Sequence, residues 1–309
     1  MRHLEIIGYG TYLPSQEVSF KGQIRHRVVE GEDQLDIATI AAQRALEKAG
    51  IVIDQVDCIV SASAVGVQPI PSTAALIHER IAKGTQIPAL DINTTCTSFI
   101  SALDTMSYLI DVGRYETVLI VSSEVGSRGL NPNQEESYKL FSDGAAAMIF
   151  RQSKEEKGII VSEQRTWSEG AHSTEIRGGL TGFEPRFYSE ETKEEYMFDM
   201  KGPEILKLSI DKVPAMFQEF LTKNDLSVKD IDLAVPHQAS PALRLVMRKL
   251  GFKKDQYMDR VAEYGNMVSV SVPFMLCLAL DEGVIASGDK VMLMGTAAGL
   301  TTNILLMQF

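Results

Sequence analysis

Apolar positions along this chain recur in two rhythms that alternate. Residues 34–50, QLDIATIAAQRALEKAG, place Ile37, Ile40, Ala41 and Leu46 at helical spacing and end on Gly50, a common helix terminator. Residues 56–63, VDCIVSAS, and 116–124, ETVLIVSSE, are short and nearly continuous apolar runs. That is the pattern of strands buried on both faces between helices. The opening LEIIGYGTYLP (4–14) predicts a further strand leading into a turn. Strands that alternate with helices predict an α/β fold.

The pattern also repeats. Residues 45–63, a helix end, a short acidic loop and an apolar strand, return in form as FLTKNDLSVKDIDLAVPHQAS at 220–240. Asp57 falls on Asp232 at an offset of 175, and the same offset places Gly113 on Gly288 and Cys96 on Ser271. Such a period is far longer than that of a solenoid repeat. It predicts two similar α/β halves, 1–160 carrying Cys96 and 161–309 carrying a connecting segment with His237 and Asn266. The least regular stretch, roughly 151–198, reads either as a solvated connection or as a cap over a pocket.

Composition narrows the function. A formal net charge of −11 argues against a nucleic-acid partner, which would need a basic field. No apolar run reaches the eighteen or so residues of a membrane span, so no membrane role is expected. Met1-Arg2-His3 and the short run after it do not resemble a secretory signal. Three cysteines in 309 residues make no disulfide framework. A reducing cytoplasm is the expected compartment.

Three polar positions could carry chemistry. Cys96, in ALDINTTCTSFISALD, stands where a strand gives way to a helix. Free N–H groups at such a turn would favour thiolate and supply an oxyanion hole; the alternative is a structural cysteine. His237 ends the apolar run IDLAV, at the edge where α/β sites assemble. Asn266 lies in the Gly-containing turn EYGNMVSVSV, where a helix cap is the plain alternative. Cys58 and Cys277 sit in apolar runs and read as core, while His3, His26, His78 and His172 lack metal-ligand spacing.

Taken together, NTTCTSF, FSDGAAAMIF, FDMKGPEILK, VPHQAS, YGNMVSVSVP and MGTAAGLTTN resemble the β-ketoacyl-acyl-carrier-protein synthase III family in order and spacing. The resemblance implies a thiolase-like fold of two βαβαβαββ-type halves in five layers, assembled as a homodimer. It implies a Cys96–His237–Asn266 triad, with the backbone N–H groups of Cys96 and Ala298 as the oxyanion hole. Its reaction would be acylation of Cys96, then decarboxylative Claisen condensation with a malonyl-type thioester. Acyl-carrier-protein or coenzyme A thioesters would be the substrates, with no metal or redox cofactor. Two other readings stay open: a related acyltransferase or head-to-head condensing enzyme, and a non-catalytic partner subunit.

Departures from the family pattern point to a divergent member. The tryptophan that the family stacks on adenine has no counterpart, since the one tryptophan, Trp167, lies elsewhere. Thr97 and Ser98 follow the cysteine where small residues are usual, Ser240 replaces an asparagine, and Ala297 and Ala298 replace glycines. Ile70 matches the family position that enters the partner's acyl pocket. Arg25, Arg27, Lys207, Arg244 and Arg248 are candidates for carrier docking, against the alternative of scattered solvated charge.

Overall fold

A computed structural model describes the whole chain, residues 1–309. The first half runs β1 (Arg2–Tyr12), the hairpin β2 (Gln16–Phe20) and β3 (Gln23–Arg27), α1 (Gln34–Ala49), β4 (Cys58–Ser61) and α2 (Thr73–Ile81). It continues with β5 (Ala89–Asp91), α3 (Ser98–Asp111), β6 (Thr117–Glu124), the single turn α4 (Glu135–Tyr138) and β7 (Gly144–Gln152). The second half runs β8 (Gly158–Thr166), the two-residue strands β9 (Thr174–Glu175) and β10 (Asp199–Met200), α5 (Gly202–Lys223) and β11 (Leu233–Pro236). It ends with α6 (Leu243–Lys249), α7 (Val261–Tyr264), α8 (Ser271–Asp281), β12 (Lys290–Ala297) and β13 (Thr301–Gln308). Helix α1 shows how closely local rules are followed. Asp33 and Asp36 form a reciprocal capping box at its start, and Gly50 closes it in the left-handed conformation at φ 66°.

Nine of the strands form a continuous hydrogen-bonded array in the order β11-β12-β13-β8-β1-β7-β6-β4-β5, while β2 pairs with β3 and β9 with β10 separately. In the first half β4 runs parallel to β6, β6 antiparallel to β7, and β7 antiparallel to β1. The second half repeats this with β11, β12, β13 and β8. The counterpart of β5 shrinks to one bridge, between Ala234 and Tyr257. The halves meet where β1 pairs with β8 through Arg2–Ile159 and His3–Gly158.

Three apolar cores give the layers. Helices α1 and α2 cover one face of the first half through Ile37, Ala41 and Ile77. Helices α5 and α6 cover the second through Phe217, Phe220 and Met247. Between the halves, α3 and α8 pack Phe99, Leu103, Phe274 and Leu276 against strands of both. The order is helix, sheet, helix, sheet, helix, the five-layered duplicated architecture expected.

Three expectations need correcting. The division at 160 falls inside β8, so the halves separate at the turn after β7, at 153–157. The first part of the stretch read as irregular is therefore β7's end and β8, whose polar residues disguised the strand. The offset of 175 holds for Asp57 and Asp232 but not beyond. Cys58 pairs with Val118 and Leu233 with Val291, so the loops between have lost two residues. Helix α8 is also shorter, 11 residues against 14 for α3. Gly113 accordingly matches Gly283, each donating to the carbonyl three residues back at a helix end, and not Gly288.

Candidate active site

Cys96 rides on a single tight turn, Thr95–Thr97, which runs straight into α3. The turn is strained, with Thr95 at φ 52°, and hydrogen bonds hold it. Asn93 Oδ1 accepts from the Thr95 N–H at 2.8 Å, Ser98 Oγ accepts from the Thr94 N–H at 3.0 Å, and Asn93 Nδ2 donates to Ala64 O at 2.8 Å. The second half repeats the device. Val268 stands at φ 51°, Asn266 Oδ1 accepts from its N–H at 2.8 Å, Ser271 Oγ accepts from the Met267 N–H at 3.1 Å, and Asn266 Nδ2 donates to Ala239 O at 3.1 Å. The counterpart of Cys96 is thus Ser269, not Ser271, and the counterpart of Asn266 is Asn93.

His237 follows β11, is 4% exposed, and its N–H donates to Met294 O at 2.8 Å. Its Nδ1 is buried without a protein partner. Burial pulls its pKa down to about 4, so the ring is neutral near pH 7. The neighbouring strand makes room for it at Gly295. A Cβ there would stand 2.9 Å from His237 Cβ and 3.2 Å from Thr97 Cγ2. Asn266 is 5% exposed, and only one of its two amide hydrogens is engaged by Ala239.

Cys96, His237, Asn266 and Ala298 all line one cavity of about 680 Å³. Cys96, His237 and Asn266, far apart in sequence, are thus brought to one cavity. Leu130, Phe141, Phe198, Met200, Leu206 and Val246 supply apolar wall, and no lysine or arginine lines it. Its ionisable lining besides Cys96 and His237 is Glu124, Glu136 and Glu175. Thr174, Glu175, Ile176 and Phe198 belong to the segment between β8 and α5, which therefore caps the cavity. Arg177 pins that cap by pairing with Glu175, Glu195 and Asp199.

The helix-start argument for Cys96 gave the wrong direction. Burial pushes the thiol up to about 12, the charge of Glu124 adds to this, and the N–H groups of Cys96 and Ala298 only partly offset both. Desolvation outweighs the local dipole. The N–H groups of Cys96 and Ala298 nevertheless both act on the sulfur. Cys58 and Cys277 are buried in the central core, as read from the sequence.

The other candidates separate. Arg25 has no exposed surface; its guanidinium donates to the carbonyls of Lys139, Ile24, Val261 and Ala262, so it braces the fold and cannot dock a carrier. Arg27 lies 4.5 Å over the Tyr138 ring and donates to Tyr138 O at 2.8 Å. Arg244 pairs with Asp259 at 2.5 Å. Lys207 and Arg248 are exposed, on helices whose inner faces line the cavity. Ile70 is 83% exposed, outside the cavity. No group of three or more His, Cys, Asp and Glu side chains is placed to hold a metal. Sequence reasoning missed Glu124 and Gly295; the one signal for Glu124 was a carboxylate ending an apolar strand.

Comparison with known proteins decides the family. Residues 90–168 match the model for 3-oxoacyl-[acyl-carrier-protein] synthase III, and residues 221–309 match that for its C-terminal part. A β-ketoacyl-[acyl-carrier-protein] synthase III of Clostridium perfringens is 30% identical, covering 97% of this chain and 98% of its own. The chain belongs to the β-ketoacyl-acyl-carrier-protein synthase III family. A second synthase III, from Paramagnetospirillum magneticum, is 31% identical over 96% of both chains. The solved synthase III of Aquifex aeolicus superposes with a TM-score of 0.87 at 25% identity, covering 99% of this chain and 100% of that one. An OleA variant of Xanthomonas campestris shares the fold, with a TM-score of 0.86 at 18% identity over 99% and 98%. The thiolase fold expected from the motifs is therefore the fold of this synthase III family member.

Proposed function

We propose that this synthase III family member condenses an acyl group carried on Cys96 with a malonyl-type thioester, releasing carbon dioxide. What supports this most directly is the convergence of Cys96, His237, Asn266 and the Ala298 backbone on one apolar cavity. In acylation, sulfur attacks the donor carbonyl, the thiol proton passes to the neutral His237, and the donor thiol leaves with a proton. The N–H groups of Cys96 and Ala298 stabilise the tetrahedral oxyanion.

In condensation, His237 and the free Asn266 amide hydrogen donate to the malonyl thioester carbonyl. The bond to the carboxylate breaks, carbon dioxide leaves, and the enolate carbon attacks the Cys96 acyl carbonyl, expelling the Cys96 thiolate. The cavity favours this movement of charge. A malonyl carboxylate there meets no lysine or arginine, whereas the enolate oxygen meets two donors.

Donors of either coenzyme A or carrier-protein type fit this chemistry, and Lys207 and Arg248 are the exposed cations for a carrier. Edge strand β5 and the exposed Ile70 are the features that a homodimer would use. Three free cysteines suit a reducing cytoplasm, and no helix is long and apolar enough to cross a membrane. The test is carbon dioxide release from malonyl thioesters by wild type and by Cys96→Ala, after loading with acyl donors. Condensation without release would overturn the decarboxylative reading.

A further inference from the structure

Glu124 ends β6, has no exposed surface, and lines the cavity that holds Cys96. No cation is among the groups that act on it; its carboxylate accepts from the N–H groups of Ala64 and Val65 and from the Ser269 hydroxyl. The Ala64 and Ser269 contacts each lead to a strained turn. The Ala64 carbonyl accepts from Asn93 Nδ2, and Asn93 Oδ1 fixes the Thr95 N–H beside Cys96. Ser269 follows Val268, whose N–H is fixed by Asn266 Oδ1. Ser269 is also the second half's counterpart of Cys96, so a serine–glutamate pair occupies the position that mirrors the nucleophile.

We infer that Glu124 is a positioning residue: one carboxylate holds the Cys96 turn and the Asn266 turn in register and presents its charge to the nucleophilic sulfur. The groups facing it can be named element by element. They are Cys96, which lines the same cavity, Ser269 from the mirror turn, and the Ala64 and Val65 N–H groups from the loop after β4. Gln34 of α1 sits behind, donating to Ser123 O and Val65 O, and Gly144 of β7 lies across the sheet. Asp143, next to Gly144, is engaged by Ser127 and Val28. His237 lines the same cavity as a neutral ring.

Burial raises the Glu124 carboxyl to about 7 while its donors hold it down. At pH 8 it is mostly charged, and a like charge opposes thiolate at Cys96. Removing the charge therefore speeds reactions of the Cys96 thiolate at fixed pH.

The test is iodoacetamide alkylation of the folded full-length chain across pH, with peptide mapping to separate Cys96 from the buried Cys58 and Cys277. The inference rests on the Cys96 assignment proposed above, but alkylation needs no acyl substrate, so failure of the two is distinguishable. Glu124→Gln raises the Cys96 rate at pH 8 roughly tenfold, equivalent to one pKa unit. Glu124→Asp keeps the charge and stays near the wild-type rate, whereas a merely structural role would move both variants alike. Ser269→Ala removes one donor, leaves more Glu124 neutral at pH 8, and raises the rate by less than Gln does. A wild-type rate in folded Glu124→Gln overturns the inference. If that variant does not fold, a wild-type rate in Ser269→Ala overturns it instead.

Discussion

Replacing Gly295 by alanine adds one methyl group where the site has no room for it. The new carbon would stand 2.9 Å from His237 Cβ and 3.2 Å from Thr97 Cγ2. Carbon atoms pack best at about 3.5–4.0 Å, so His237 or the strand must retreat by roughly 0.6 Å or more. Thr97, in the nucleophile turn, is itself fully buried and leaves little space on the other side. A displacement approaching 1 Å at a catalytic group costs about 10²-fold in rate, and overpacking costs about 1–3 kcal/mol in stability. Gly295→Ala should therefore fold, melt lower than wild type, and lose on the order of 10–100-fold in condensation through kcat, with KM little changed. The assay is single-turnover condensation on enzyme already acylated at Cys96, run beside thermal melting. A folded variant with wild-type kcat would refute the claim that His237 placement depends on this contact.

Asn266→Ala should lower condensation on the order of 10²-fold, about 3 kcal/mol, while acylation of Cys96 persists; equal loss in both steps would count against a donor role at the enolate. Because burial lowers His237 to about 4, the rate with pre-acylated enzyme should show no acid limb near the ordinary imidazole value of 6.5. A limb at that value would show that His237 ionises normally. Arg25→Ala should cost roughly 3 kcal/mol or more in urea unfolding, since four backbone carbonyls lose a charged donor, whereas Lys207→Glu and Arg248→Glu should leave stability unchanged and weaken use of carrier-bound donors. Unfolding midpoints and a comparison of carrier with coenzyme A donors check both halves of that statement.

The fold was legible where local chemistry and burial agree. The runs CIVS and TVLIVSSE are buried throughout, as continuous apolar strands must be, and the Asp33 cap and Gly50 bound α1 as its pattern predicts. Strand β8 was illegible because IIVSEQRT mixes a half-exposed face with polar ends, which resembles a loop. The duplication was visible, but a fixed offset cannot follow shortened loops, so Cys96 was matched to Ser271 two residues beyond its true mirror. Charge in a sequence also carries no depth. Arg25 reads as a surface cation and is buried; Glu124 reads as a strand end and lines the cavity together with Cys96. The pKa direction at Cys96 depends on enclosure by segments remote in sequence, and no local helix-start signal could supply it.

Whether Cys96 carries the acyl group is read from mass spectrometry of the intact chain and its peptides after incubation with a panel of acyl thioesters. A covalent adduct of one acyl mass is expected on the peptide containing Cys96, discharged on addition of a malonyl thioester and absent from Cys96→Ala. An adduct that persists in Cys96→Ala, or no adduct with any donor in the panel, would contradict it.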